Sequence, residues 1–384
     1  MENLTGRVDT YFRTRTRGQK GIIRDLIMTE DAHHDITLCD NDYLNLVHHP
    51  HILAAQIEDL KSSAGRGAVY SPLFLSRETM NPHTQLEDDL GAWYGKDCYL
   101  AQSGYAANVG LMHALCLPGT NVYADMFVHM SFYDGLAARK VRLHRCQLND
   151  AADMEDKIRQ HGPGLILVES LYSVSGDFAP LVDMVRLRNE YGCLLVVDES
   201  HSLGVYGAKG LVHLHGLQDE VDYVTASLAK AFSTRAGVVF GRHGLFVKEH
   251  SFPNIFSSAL LRNDIVRIRA AWEVICDADD RRARLLDVSR RLRSELGEVS
   301  RLASVSGTLP SPIVSLCADD EEQMARLHRH LSKKGILGAP FFPPATSPKH
   351  PVLRLTVHAN IRQEDVRRIV EGVASFYAIT ARLV

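Results

Sequence analysis

Two apolar runs in this sequence end on residues that could do chemistry together. Cys193-Leu194-Leu195-Val196-Val197 stops abruptly at Asp198-Glu199-Ser200-His201, and Val221-Asp222-Tyr223-Val224-Thr225-Ala226 runs into Ser227-Leu228-Ala229-Lys230. A short apolar run closed by a carboxylate reads as a buried parallel strand, delivering its polar end to the sheet edge where open α/β folds bind ligands. An aspartate, a histidine, a serine and a lysine would then share one rim. Those residue types suit pyridoxal phosphate (PLP), which needs a lysine for the Schiff base, an acid to keep the pyridine nitrogen protonated, and a donor for the phenolic oxygen. The roles fall to Lys230, Asp198 and His201. Singly, each has a plainer reading: a helix cap, a satisfied loop histidine, a solvated lysine. His201 and Lys230 follow Asp198 by three and thirty-two residues, on two strands of the right kind, and jointly they favour the cofactor.

Val197-Asp198-Glu199-Ser200-His201-Ser202-Leu203-Gly204 followed by Ser227-Leu228-Ala229-Lys230-Ala231-Phe232 resembles the α-oxoamine synthase family of fold-type I PLP enzymes. These condense an amino acid with an acyl-CoA, usually with loss of the carboxylate. The likeness covers nearly the whole chain. It implies an α/β fold with a mainly parallel central sheet, flanking helices and a small α+β C-terminal domain. We place an N-terminal arm at 1–45, a large PLP-binding domain at 46–264 and the small domain at 265–384.

Further positions carry the resemblance. Cys39-Asp40-Asn41-Asp42-Tyr43-Leu44 resembles a family signature whose asparagine touches the substrate near its carboxylate, which implies that role for Asn41; a polar turn before a helix at about Pro50 would use the same residues. Cys98 to Ala101 reads as a strand, and Gln102-Ser103-Gly104-Tyr105 turns it into a helix. The free N–H groups and positive dipole of such a helix start can hold a phosphate, here on Ser103, Gly104 and Tyr105. After the strand Asn121 to Asp125, His129 stands where the family stacks a histidine on the pyridine face; without the likeness, a packed core histidine is the plainer reading.

Gly164 to Glu169 is another buried strand, and the loop beyond it resembles a family segment in which Ser173 offers the cofactor a hydroxyl. The resemblance implies that Ser227, three residues before Lys230, supplies a phosphate contact. Phe256-Ser257-Ser258-Ala259-Leu260 resembles the segment that reaches across the family's dimer, so Ser257 and Ser258 are expected to complete a partner's site. Leu261-Arg262 replaces the family's usual proline pair there. From Ile265 to about Glu298 the sequence suggests one long helix with Arg281, Arg282 and Arg284 on a solvated face. In the last domain, strands near Ile313 and Val352 alternate with helices at 321–333 and 363–376. Arg354 matches the arginine that grips the substrate carboxylate, a task suited to its planar fork, although a strand arginine paired with a surface acid is the simpler alternative. Phe341-Phe342-Pro343-Pro344 stands where relatives carry an arginine before prolines, which points to a more apolar pocket.

The totals restrict the partners. Across 384 residues, 43 Lys and Arg nearly balance 46 Asp and Glu, so no bulk attraction to nucleic acid or anionic membranes is expected. The seven cysteines are scattered, without a C-x-x-C pair, which fits a reducing cytoplasm and no zinc site. No window of about eighteen apolar residues offers a membrane span. The basic N-terminal stretch, with Arg7, Arg13, Arg15, Arg17 and Lys20, could lie along a partner subunit and meet CoA phosphates, or be a solvated helix face.

Within the family, His161-Gly162-Pro163-Gly164 and the segments around Gly104 and Ser257 most resemble the autoinducer synthases that make long-chain α-hydroxyketone signals. That branch implies a homodimer with shared sites, a medium- or long-chain acyl-CoA, and a small α-amino acid or S-adenosylmethionine, joined into an aminoketone precursor. The alternatives are a housekeeping synthase of the 8-amino-7-oxononanoate synthase, glycine C-acetyltransferase or serine palmitoyltransferase type, an aminotransferase, and a non-catalytic partner subunit.

Overall fold

The computed structural model describes residues 3–16, 34–62, 71, 81–302, 309–342, 346 and 351–380. Arg17 and Lys20 of the basic stretch, and Pro343 and Pro344, lie outside these. Among the described residues there are eleven strands, in chain order β1 (Ile36–Leu38), β2 (Asp97–Ala101), β3 (Asn121–Asp125), β4 (Arg142–Cys146), β5 (Leu165–Glu169), β6 (Leu194–Asp198), β7 (Tyr223–Ser227), β8 (Gly237–Gly241), β9 (Ile313–Cys317), β10 (Ile336–Phe341) and β11 (Val352–Thr356). β2 to β8 form one seven-stranded sheet in the order β2-β8-β7-β6-β5-β3-β4. β8 runs antiparallel to both of its neighbours; every other pairing in this sheet is parallel.

The apolar runs are explained by cover on both faces. Leu195, Val197, Ile166 and Val168 pack with Met184 and Leu187 of the helix Leu181–Tyr191 on one side. Val196, Leu165 and Leu167 meet Leu111 and Met112 of the helix Gly104–Leu115, with Phe132, on the other. Each such side chain contributes roughly 1.5–3 kcal/mol on burial, so the strands are clamped and their polar ends are held in register. β3, β5, β6 and β7 point the same way, which gathers Asp125, Glu169, Asp198 and Ser227 on one edge. Glu169 lies opposite Asp198, and Asp198 opposite Thr225.

A four-stranded sheet, β1-β10-β11-β9, closes the molecule. β1 pairs parallel with β10, so the N-terminal segment completes a sheet built from the other end of the chain. Helix Glu321–Ser332 packs on β10 and β11, and Gln363–Thr380 packs beside that helix.

The single helix expected from Ile265 to Glu298 is two helices, Arg262–Cys276 and Asp279–Val299. The first packs against helices Pro50–Ser62 and Pro82–Tyr94 and the second against Gln363–Thr380 and β9, so the chain must turn between them. Asp279 and Asp280 open the second helix, where negative charge suits the dipole. Nor is Arg282 on a solvated face: it is buried, and its Nε donates to the Gly204 carbonyl at 3.1 Å. Strands β1, β4 and β10 were not foreseen. β4 is an edge strand whose only fully buried residue is Cys146, so no apolar run marks it. Among the described residues, no helix is long and apolar enough to cross a membrane.

Candidate functional site

Asp198, at the end of β6, is 4 % exposed, and each of its oxygens holds one donor. Asn108 Nδ2 donates to Oδ2 at 2.8 Å and the Ser200 N–H to Oδ1 at 2.8 Å. A carboxylate oxygen can accept more than one hydrogen bond, so the group remains able to take a proton-bearing ring nitrogen. The Ser200 hydroxyl in turn accepts from the Ser227 N–H at 2.8 Å, locking the ends of β6 and β7 together.

Lys230 follows β7 by three residues. Burial pushes its ammonium down to about 8, with the positive charge of Arg354 adding to the effect and Asp198 and Glu169 opposing it. At neutral pH that leaves roughly one lysine in ten as the free amine, against roughly one in three thousand for an ordinary lysine. Burial, then the charges of Lys230 and Arg354, hold His201 well below its usual range and therefore neutral. Its Nδ1 lies 2.6 Å from the hydroxyl of Tyr43, which is itself fully buried. With the tyrosine donating to Nδ1, the imidazole proton sits on Nε2 and can be offered elsewhere.

Arg354 occupies β11 and is 6 % exposed. Nη1 donates to the Ser173 carbonyl at 2.7 Å and Nη2 reaches Asn41 Oδ1 at a long 3.5 Å. The guanidinium carbon lies 4.7 Å from the centroid of the Phe341 ring. Nε is buried and has no partner among the described residues; an orphaned, charge-bearing donor of this kind is costly unless something arrives to accept from it.

At the other side of the rim, Ser103 caps the helix Gly104–Leu115 by accepting from the Ala106 N–H at 3.1 Å. The N–H groups of Gly104 and Tyr105, at the first turn, have no acceptor within the helix. Gly104 is pressed against Ser227: a Cβ there would come within 2.8 Å of the Ser227 Cα, so only glycine lets the two backbones approach. Tyr105 is half-exposed and its hydroxyl donates to Asp134 at 2.9 Å, so it is the backbone of this residue that faces the turn.

His129 precedes the helix Met130–Ala137, and its Nδ1 lies 2.7 Å from Ser131 Oγ. Burial and Lys230 lower its proton affinity, with Asp198 opposing. Ser257 and Ser258 are exposed. The Ser257 hydroxyl is turned back to the Pro253 carbonyl, and the Ser258 carbonyl accepts from Gln102 Nε2 at 2.8 Å, beside the helix start.

The site residues read from sequence therefore form linked groups: Asn41, Arg354 and Ser173; His129 and Asp198 through intervening side chains; Gly104 and Ser227. Lys230 and His201 lie close enough to these to feel their charge. Ser257 and Ser258 stand at the surface. Sequence reasoning passed over Tyr43, Asn108, Ser131, Ser200 and Glu169, although Tyr43 lay inside a motif already quoted. Glu169, opposite Asp198, is held well above the usual carboxyl range by burial and then by that neighbour's charge. The less Glu169 ionises, the less like charge Asp198 meets from the adjacent strand.

Glu199 anchors the loop that carries His201. Oε1 accepts from the Val212 N–H at 2.9 Å and the Ser202 hydroxyl at 3.1 Å, and Oε2 accepts from Tyr94 at 3.2 Å. Even so, burial pushes the carboxyl from 4.5 up to about 7. Its folded value exceeds its unfolded one, so this contribution to stability is full below pH 4.5 and is lost as pH rises through about 7. Relative to the native protein, Glu199→Gln is expected to gain stability between about pH 5 and about pH 8, by on the order of 3 kcal/mol at most. Urea midpoints at both pH values measure it; an unchanged difference between the two proteins would show that Glu199 ionises without penalty.

The sequence profile described as aminotransferase class I and II matches residues 33–373. The CAI-1 autoinducer synthase of Vibrio campbellii is 34% identical over 97% of this chain and 95% of its own length. The serine palmitoyltransferase of Caulobacter vibrioides is 29% identical, over 89% and 85% respectively. Among solved structures, a serine palmitoyltransferase from S. paucimobilis with bound PLP superposes with a TM-score of 0.86 at 24% identity, covering 96% of this chain and 99% of that one.

Proposed function

Because this chain belongs to the α-oxoamine synthases, PLP-dependent acyltransferases of the class I and II aminotransferase fold, we propose that it joins a long-chain acyl-CoA to a small α-amino acid or S-adenosylmethionine. The product is an α-aminoketone, precursor of a quorum-sensing autoinducer, with carbon dioxide and CoA thiol released. The observation that carries this reading is the rim itself: an amine with a pKa of about 8, the buried His201, the more exposed His129 and a buried arginine whose Nε has no partner among the described residues, gathered around the carboxylate of Asp198. Likeness to the autoinducer synthase over nearly the full length supports the branch.

PLP is the cofactor, and when bound it supplies an electron sink for the pair released at the substrate's Cα. The residues present fit it. Asp198 would hold the ring nitrogen's proton, His201 would donate from Nε2 to the phenolic oxygen, and Ser173 would add a hydroxyl. His129 would lie against the ring face. Ser103, Gly104, Tyr105 and Ser227 would take the phosphate, and Ser257 and Ser258 would complete the site of a second copy. Phe256 beside them is 80 % exposed, an aromatic that a homodimer would cover.

Lys230 would carry the cofactor and then, as a neutral amine, accept the Cα proton at Nζ. Arg354 Nε, with Asn41, would hold the substrate carboxylate. Arg354 is buried and Lys230 and Asn41 are partly so, which limits the water at the reacting face. Phe341 stacks under Arg354 and Phe342 adjoins it, both partly buried, which supports an apolar binding surface for the acyl chain. In this reading residues 1–45 are an arm, 46–264 the cofactor-binding unit and 265–384 the small unit, and the enzyme works in the cytoplasm, where its acyl-CoA is made.

The test is mass spectrometry of products from a panel of acyl-CoAs and amines. Aminoketones from long acyl chains are expected, with one thiol released per product. If only short or dicarboxylic acyl-CoAs react, a housekeeping synthase replaces this assignment. A protein that binds no PLP and releases no thiol would be a non-catalytic subunit.

A further inference from the structure

Asn108 stands between the two side chains placed on either side of the cofactor. It lies early in the helix Gly104–Leu115 and is 2 % exposed. Both protons of its amide are engaged: one goes to Asp198 Oδ2 at 2.8 Å and the other to Ser131 Oγ at 3.0 Å. The orientation is forced, because an ionised carboxylate can only accept and so must face the nitrogen. Among the described residues, Oδ1 has no partner that would favour turning the amide over.

Ser131 is fully buried. Having accepted from Asn108, its hydroxyl directs its own proton to His129 Nδ1 at 2.7 Å, and the Ser131 backbone N–H approaches the same nitrogen at 3.3 Å. Two donors on Nδ1 leave the imidazole's single proton on Nε2. A reversed tautomer would set an N–H against the Ser131 N–H and would need the hydroxyl to turn its proton away.

We propose that Asn108 and Ser131 are positioning residues that couple Asp198 to His129, so that one amide both aligns the carboxylate and fixes the imidazole as its Nε2–H tautomer. This rests on the roles given above to Asp198 and His129. A group held in place by a hydrogen-bonded neighbour is better pre-organised than one left to packing alone. Here the acid at the ring edge and the imidazole at the ring face share a single support, and loosening one loosens the other. The sequence hides this, since Asn108, Ser131 and Asp198 belong to three separate elements.

The test uses full-length apoprotein labelled with 15N-histidine, the His129 signals being those lost in His129→Gln. Long-range 1H–15N spectra should show His129 as the neutral Nε2–H form in the native protein. Ser131→Ala and Asn108→Leu should convert it to a mixture, while Ser131→Thr, which keeps the hydroxyl, should restore the single form. PLP affinity, titrated by absorbance, should fall about tenfold for Asn108→Leu, equivalent to about 1.4 kcal/mol. The double variant should lose less than the two single losses combined. A native His129 protonated on Nδ1 would overturn the proposal whatever the folding of the variants, and so would an unchanged tautomer in folded Ser131→Ala. If the tautomer is as stated but no aminoketone forms, the assigned reaction fails and the coupling stands.

Discussion

Lys230→Ala is expected to give a colourless protein with no measurable turnover. The amine has two tasks, attaching the cofactor and taking the Cα proton, and among the described residues no other lysine is placed with these groups. Loss of a positioned general base typically costs 10²–10⁴ in rate, and loss of the attachment adds to it, so a fall of at least about 10⁴ is expected. Visible absorbance of the purified protein reads the first task and CoA release reads the second. A small primary amine added to the buffer should restore part of the proton transfer. A Lys230→Ala protein that stays yellow and active would remove the assignment.

The next largest loss is expected for Asp198→Asn. An amide cannot stabilise a proton on the ring nitrogen by charge, and its own N–H₂ would confront either the Asn108 amide or the Ser200 N–H, each of which now donates to Asp198 at 2.8 Å. Electron withdrawal from Cα would weaken, and exchange of the substrate's Cα proton in D₂O without acyl-CoA should slow about a thousandfold, close to 4 kcal/mol in the barrier. NMR follows this exchange directly. Asp198→Glu keeps the charge and should lose less. Undiminished exchange in Asp198→Asn would place the electron-withdrawing support elsewhere.

The parts of this architecture that could be read from the chain share one cause. β5 and β6 are covered on both faces, so they appear as unbroken apolar runs, and the point at which each run breaks marks the rim. The helix start at Gly104 was visible because a glycine between polar residues follows a strand. What escaped notice depends on partners remote in sequence. Tyr43 meets His201 across 158 residues, and no local spacing encodes that meeting. β4 is too polar to look like a strand, because an edge position leaves Arg142 and Arg145 exposed. The turn at Asp277-Ala278 interrupts what reads as continuous helical periodicity, because its cause is the separate surfaces on which the two helices pack. Arg282, placed on a solvated face by its charged neighbours, is buried for the same reason.

The pairing of Ile36 with Ile336 also bears on how the protein is made. A ribosome adding roughly 5–20 residues per second delivers β10 roughly 15–60 s after β1 has left the exit tunnel. Through that interval Ile36 and Leu38 have no strand to join, although the adjoining turn can already meet His201 and Ser233 through Tyr43 and Asp42. The nascent chain thus offers a chaperone a short apolar segment near its start, and a message cut short before β10 yields a polypeptide whose first strand never docks.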